Sequence, residues 1–209
     1  MRKVSFLVIL IFSLFSQFAN AEDIIIYKNS GKKIWGKEIT QRFLEKISLP
    51  QFDSLMTIPI DIEDLKLLEC SNFNNLSDEQ KKAFYIVFFA AIAERESDFK
   101  ADSETFDRGH FNTNVGLFQI DKNSAIRHAY ALVGAKVTKK ELKNPITNFV
   151  AGLYIFKNQL EGAFRDDTTG RLFPMKHFYW EVLGLRKREK FLKSFNNNRG
   201  NLPFCENSH

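Results

Sequence analysis

Residues 90–122 read AAIAERESDFKADSETFDRGHFNTNVGLFQIDK, and two changes of texture inside this stretch decide the fold. An apolar segment ends by delivering one carboxylate, Glu96, immediately before Ser97. A polar connector follows, with isolated aspartates set among Gly109, Asn112 and Asn114, residue types that favour tight turns. The stretch closes on a compact apolar phrase, Gly116-Leu117-Phe118-Gln119-Ile120-Asp121. A helix giving way to a loop with a small hairpin predicts an α+β chain, mainly α-helical, with a small β element beside the helix end. A carboxyl at the end of a buried element has its charged form disfavoured by desolvation, so Glu96 is placed to hold a proton near neutral pH.

Upstream, Ser77 followed three residues later by Gln80 is a capping-box pattern. The helix it opens runs through Ala83 to Ala93, apolar on nearly every side, which predicts burial all round. Glu94 is two residues from Glu96, about 200° around a helix, and is read as a surface charge. Downstream, Asn144-Pro145 signals a second helix, with Asn as N-cap and Pro in the first turn. Ile146, Phe149, Val150, Leu153, Phe156 and Leu160 then follow one face. Residues 163–172 are turn-rich, and 175–195 carry further helical signals through Tyr179, Val182, Leu183 and Phe191. Before the capping box, Asp23–Tyr27 predicts a short strand ended by Asn29-Ser30-Gly31. Lys37 to Ile47 has helical spacing, and Pro50 and Pro59 punctuate a loop-rich stretch.

The first 21 residues have the build of a secretory leader. Arg2 and Lys3 precede a largely apolar run from Phe6 to Phe15, and Ala19-Asn20-Ala21 fits the small-residue cleavage rule. Cleavage there removes two positive charges and takes the formal charge from +5 to +3. That balance suits an anionic polymer and an ordinary solvated surface equally. The leader's apolar run is short for a membrane span, and no later stretch approaches the roughly 20 residues that spanning needs. The expected organisation is a signal peptide over 1–21, an N-terminal accessory segment over 22–70 packed on the same domain, and a catalytic domain over 71–209. The two cysteines, Cys70 and Cys205, suggest one disulfide in an exported chain, the other reading being two separate buried thiols. The 22 phenylalanines predict an aromatic-rich core.

Taken together, Arg95-Glu96-Ser97, Asp107-Arg108-Gly109, the phrase from Gly116 to Lys122 and the helix opening Asn144-Pro145-Ile146-Thr147-Asn148 resemble the core motifs of goose-type lysozymes and soluble lytic transglycosylases. The resemblance covers residues 77–185. It implies a lysozyme-like fold with the β element beside a glycan cleft, and peptidoglycan strands as substrate. Glu96 matches the family's general acid, which protonates the oxygen bridging muramic acid and glucosamine. Asp107 and Asp121 match positions where goose-type lysozymes carry two aspartates that hold the attacking water, a pair that lytic transglycosylases usually lack. Ser97, Gly116, Leu117, Phe118, Gln119 and Asn148 are the implied substrate-binding positions. Gly116 is read as permitting close approach of a sugar, and Phe118 equally as stacking on a ring or as core. The family's fourth motif, a tyrosine in an Ala-Tyr-Asn-Ala-Gly context, has no clean match; Tyr179 is nearest by spacing, among bulky neighbours. His177 beside it is read as structural.

With both aspartates present, the resemblance favours a muramidase that hydrolyses the β-1,4 bond between N-acetylmuramic acid and N-acetylglucosamine, or deacetylated glucosamine. A lytic transglycosylase leaving 1,6-anhydromuramic ends is the alternative, and a non-catalytic wall-binding protein on the same scaffold is the third reading. The chain is expected to be an exported, periplasmic or secreted monomer without stable membrane insertion. No cofactor is called for: metal-spaced Cys/His sets, phosphate-binding glycine loops and concentrated basic stripes that would suit nucleic acid are all lacking from the sequence. Arg186-Lys187-Arg188 reads as a solvated helix face.

Overall fold

The computed structural model describes residues 23–28, 30–109, 111–125 and 137–205. The proposed leader and Asn29 of the expected turn lie outside the described residues. The architecture is mostly helical with a small antiparallel sheet.

Its axis is α4, Asp78–Ser97. Ser77 caps it as the sequence predicts: the Ser77 hydroxyl accepts from the Gln80 amide and the Gln80 side chain accepts from the Ser77 amide. From Ala83 to Glu94 every residue is buried, because other elements cover all its faces. Two short strands, β1 (Ile26–Tyr27) and β2 (Lys33–Trp35), form a hairpin that leads into α1 (Lys37–Ile47). Short helices α2 (Ser54–Thr57) and α3 (Ile62–Leu67) occupy the region expected to be loop. Pro50 opens a single 3-10 turn there, and Asp61 caps α3 by accepting from the amides of Glu63 and Asp64.

After α4 come β3 (Glu104–Asp107), β4 (Asn112–Val115) and β5 (Ile120–Asp121), in spatial order β3-β4-β5. Helix α5 (Lys139–Leu142) then leads into α6 (Pro145–Leu160), whose N-cap Asn144 accepts from the amides of Ile146 and Thr147. The last helix, α7 (Arg188–Asn196), packs along α4. Residues 175–187 are mostly irregular, with one 3-10 turn at Glu181–Leu183, so the expected helix over 175–195 forms only in its second half.

Where the elements meet, the core is aromatic. Phe89 of α4 meets Phe118, Phe149, Phe156 and Trp180 edge-on, with ring centroids 5.2–6.1 Å apart. Such T-shaped pairs place ring edges against the electron-rich faces of their neighbours. The N-terminal segment shares this core, since Phe43 of α1 stacks on Phe149 of α6 at 4.1 Å. Polar ties join the same parts: buried Asp64 accepts from the Arg171 guanidinium and the Phe173 amide, and Lys28 pairs with Asp98. Cys70 and Cys205 are bonded, which selects the disulfide over two separate thiols.

Candidate active site

Glu96 lies in the last turn of α4, which ends because Asp98 takes a left-handed backbone (φ 56°). The helix delivers the carboxyl, partly buried, onto an open cleft of about 780 Å³. Burial is the main reason its pKa is pushed up to about 7; the Glu181 carboxylate adds to the rise, while the Lys187 ammonium and then Arg95 oppose it. A carboxyl held near half-protonation at neutral pH can give up a proton and take one back in the same cycle. Glu94, expected at the surface, is instead buried at 6% exposure, because α4 is covered on that side as well.

The β-sheet forms one wall. In its register Asp107 faces Asn112, and Asn114 lies between Thr105 and Asp121, so the alternation of strand side chains puts Asp107, Asn114 and Asp121 on one face. Asp107 and Asn114 line the cleft, and the Asp107 carboxylate accepts from the Gly109 amide at 2.8 Å. Asp121 shares that face and is covered. Its Oδ2 accepts from the Tyr179 hydroxyl at 3.2 Å, its Oδ1 accepts from the Ser124 amide at 2.9 Å, and its own amide donates to Tyr179 at 3.1 Å. Tyr179 therefore lies between Asp121 and the cleft it lines. Burial first, and then the Asp121 charge, push the Tyr179 phenol well above its ordinary range, so it stays a hydroxyl.

Of the implied substrate contacts, Gln119 and Tyr179 line the cleft, whereas Ser97, Gly116, Leu117, Phe118 and Asn148 do not. These five build the shelf beneath it. The Ser97 hydroxyl donates back to the Ala93 carbonyl, and Leu117 is buried at 3% exposure. Phe118 is fully buried, which resolves its two readings in favour of core. Asn148 is fully buried and spends its amide group on the loop: Oδ1 accepts from the Phe118 amide, and Nδ2 donates to the Val115 and Leu142 carbonyls. Gly116, with φ +82°, is required by this packing; a Cβ there would stand 2.4 Å from the Leu142 carbonyl oxygen and 2.5 Å from Asn148 Nδ2. Gln119 sits at φ 46° and donates to the Gly116 and Ser103 carbonyls. Its buried Oε1 has no hydrogen-bond partner among the described residues.

Of the opposite wall, sequence reasoning reached Tyr179 and its bulky neighbours and missed the basic residues. Phe178, Trp180, Glu181 and Val182 continue from Tyr179, and Arg186, Lys187 and Lys190 complete it. Trp180 is fixed by donating Nε1–H to the Phe118 carbonyl at 2.8 Å, and Phe178 packs over Gly184, where a Cβ would come within 2.6 Å of its ring. Arg186 and Lys187 line the cleft while staying exposed, and they lie in the irregular chain before α7 and not on its helical face. Arg188 lies over the Phe173 ring and donates to its carbonyl. His177 is exposed, at φ 60°. Among the described residues no group of His, Cys, Asp and Glu has the arrangement of a metal site, and no helix is long and apolar enough to cross a membrane.

Comparison with known proteins follows the same outline. The family model described as Transglycosylase SLT domain matches residues 74–201, more than half of the chain. No curated protein matches. The solved structure titled Bd0314 DslA, wild-type form 2, is similar with a TM-score of 0.63 and 22% identity, over 81% of this chain and 92% of that one. Two Glu-to-Gln mutants of DslA are similar at the same TM-score, with 20% and 21% identity, covering 87% and 81% of this chain and 98% and 92% of theirs. At such identities the structural likeness speaks for the fold.

Proposed function

We propose that this chain, which belongs to the transglycosylase SLT domain family, is an exported lytic transglycosylase that cleaves the β-1,4 bond between N-acetylmuramic acid and N-acetylglucosamine in peptidoglycan. The observation that carries the reading is Glu96, partly buried at the cleft with its pKa near 7, inside the matched domain. The protonated carboxyl gives its proton to the bridging oxygen, and the glucosamine side leaves as an alcohol. The carboxylate so formed takes the proton of the muramic 6-hydroxyl as that oxygen bonds to the anomeric carbon. The proton balance closes on one residue, which emerges protonated, and no water is consumed.

Hydrolysis by a muramidase is the second reading, and Asp107 is the observation that favours it: an inverting hydrolase needs a second carboxylate in the cleft to activate water. The preference nonetheless reverses the expectation drawn from the two aspartates. The carboxylate of Asp121 is occupied by Tyr179 and Ser124, and the family matched is the transglycosylase one. Digestion of purified wall polymer followed by mass spectrometry of the new ends tests the choice. Anhydromuramic ends are expected; reducing ends carrying oxygen from labelled water overturn the transglycosylase reading. Activity that survives Glu96→Gln overturns the mechanism in either form, and a chain without activity is the wall-binding protein of the third reading.

A further inference from the structure

Charge is unevenly spread around the cleft. Arg186, Lys187 and Lys190 stand together on the 178–190 wall. Lys187 is compensated by Glu181, 2.5 Å away. Among the described residues, neither Arg186 nor Lys190 has a carboxylate within ion-pair distance. Glu181, the carboxylate on their own wall, is taken up by Lys187. Glu96 is uncharged when it acts, and Asp107 sits on the sheet wall, held by the Gly109 amide. Two uncompensated cations on the wall of a cleft that a polymer must thread create a local positive potential that favours anionic ligands.

Resting on the glycan-cleaving reading above, we propose that Arg186 and Lys190 bind carboxylate carried on the lactyl branch of muramic acid, so that the cleft selects anionic strands over an uncharged β-1,4 amino-sugar chain. That branch presents carboxylate in two ways. On strands stripped of peptide the lactyl acid itself is free; on substituted strands it is amide-linked, and the carboxylates are those of the stem peptide. Both are exposed to solvent, so the recognition is screened by salt.

Binding is measured with the Glu96→Gln chain, which holds strands without cutting them, with and without Arg186→Gln and Lys190→Gln. The ligands are stem-bearing strands, peptide-stripped strands and chitin oligomers. The double substitution is expected to weaken the anionic strands by roughly three- to thirtyfold at low salt, with chitin oligomers unchanged. The strand that loses more identifies the carboxylate source. In the chain that keeps Glu96, the same substitutions raise KM and leave kcat in place. Equal binding of all three ligands, unaltered by the substitutions in a chain with an unchanged thermal transition, overturns the proposal. If the chain with Glu96 and both cations intact leaves wall strands uncut, it is the glycan-cleaving reading that fails.

Discussion

At the scale of single residues, the chemistry turns on keeping one carboxyl uncharged near neutrality. Glu96 ionises at about 7 in the folded chain against an ordinary 4.5, chiefly through burial. The folded state therefore binds the extra proton between those values, and folding stability must fall as pH rises across them. Removing the ionisable group removes that slope. Unfolding curves of the parent and Glu96→Gln are expected to coincide at pH 4 and to separate above pH 7, with the Gln variant more stable by about 1–3 kcal/mol. Activity should decline over the same upper range as the acid loses its proton, and a rate that keeps rising past pH 8 would rule Glu96 out as the donor. Gly116 makes a different kind of demand. Alanine there meets backbone oxygen and Asn148 within 2.5 Å at a φ of +82°, and fully buried neighbours cannot give way. Gly116→Ala is expected to cost about 2–4 kcal/mol in denaturant unfolding. A stable, active variant would show that the loop can move off Asn148.

At the scale of elements, what could be read from the sequence depended on how local the cause was. The Ser77–Gln80 capping box, the all-round apolar run of α4 and the Asn-Pro start of α6 act within a few residues, so both long helices and their first turns were legible, although α4 continues past its apolar run to Ser97. The same held for Glu96, because a helix carries its last side chain to a predictable place. Asp121 shows where that logic stops. It directly follows the Gly116–Ile120 phrase, but its environment is made by Tyr179, 58 residues away. The wall from Phe178 to Lys190 was legible only as bulky neighbours of Tyr179, for the same reason: irregular chain has no period, and Trp180 and Phe178 are placed by a Phe118 carbonyl and a glycine surface that only the tertiary fold supplies. Tyr179→Phe tests how that wall is fastened. Loss of the hydroxyl leaves the Asp121 amide and carboxylate short of a partner, for about 1–2 kcal/mol of stability. KM is expected to rise more than kcat falls, since the wall moves and the acid does not. A fall in kcat to the level of Glu96→Gln would instead make the hydroxyl a participant in the reaction.

At the scale of the whole molecule, the N-terminal segment and the C-terminus close around α4, and the contacts that do this are far apart in the chain. Asn198 and Asn201 hold β1 and the residue before it through paired amide bonds with Tyr27 and Ile25, and Arg171 reaches Asp61 and Asp64. The Cys70–Cys205 disulfide spans 135 residues and joins the start of the domain to its end. Its sequence signal was only an even count, which cannot say whether two thiols meet; α4 packed along α7 brings them together. Because the bond encloses the whole of the matched domain, its chief effect is on the unfolded chain, whose freedom it restricts. The chain-entropy model gives about 5 kcal/mol for a loop of this size, and measured disulfides commonly give 2–4. Replacing both cysteines with alanine is therefore expected to lower stability by about 2–5 kcal/mol. The cleft lies away from the bond, since neither cysteine nor their contacts line it. Where the double variant remains folded, wall-cleaving activity per folded molecule should be unchanged. A variant that keeps its stability but loses activity would show that the disulfide shapes the cleft and does more than restrain the unfolded chain.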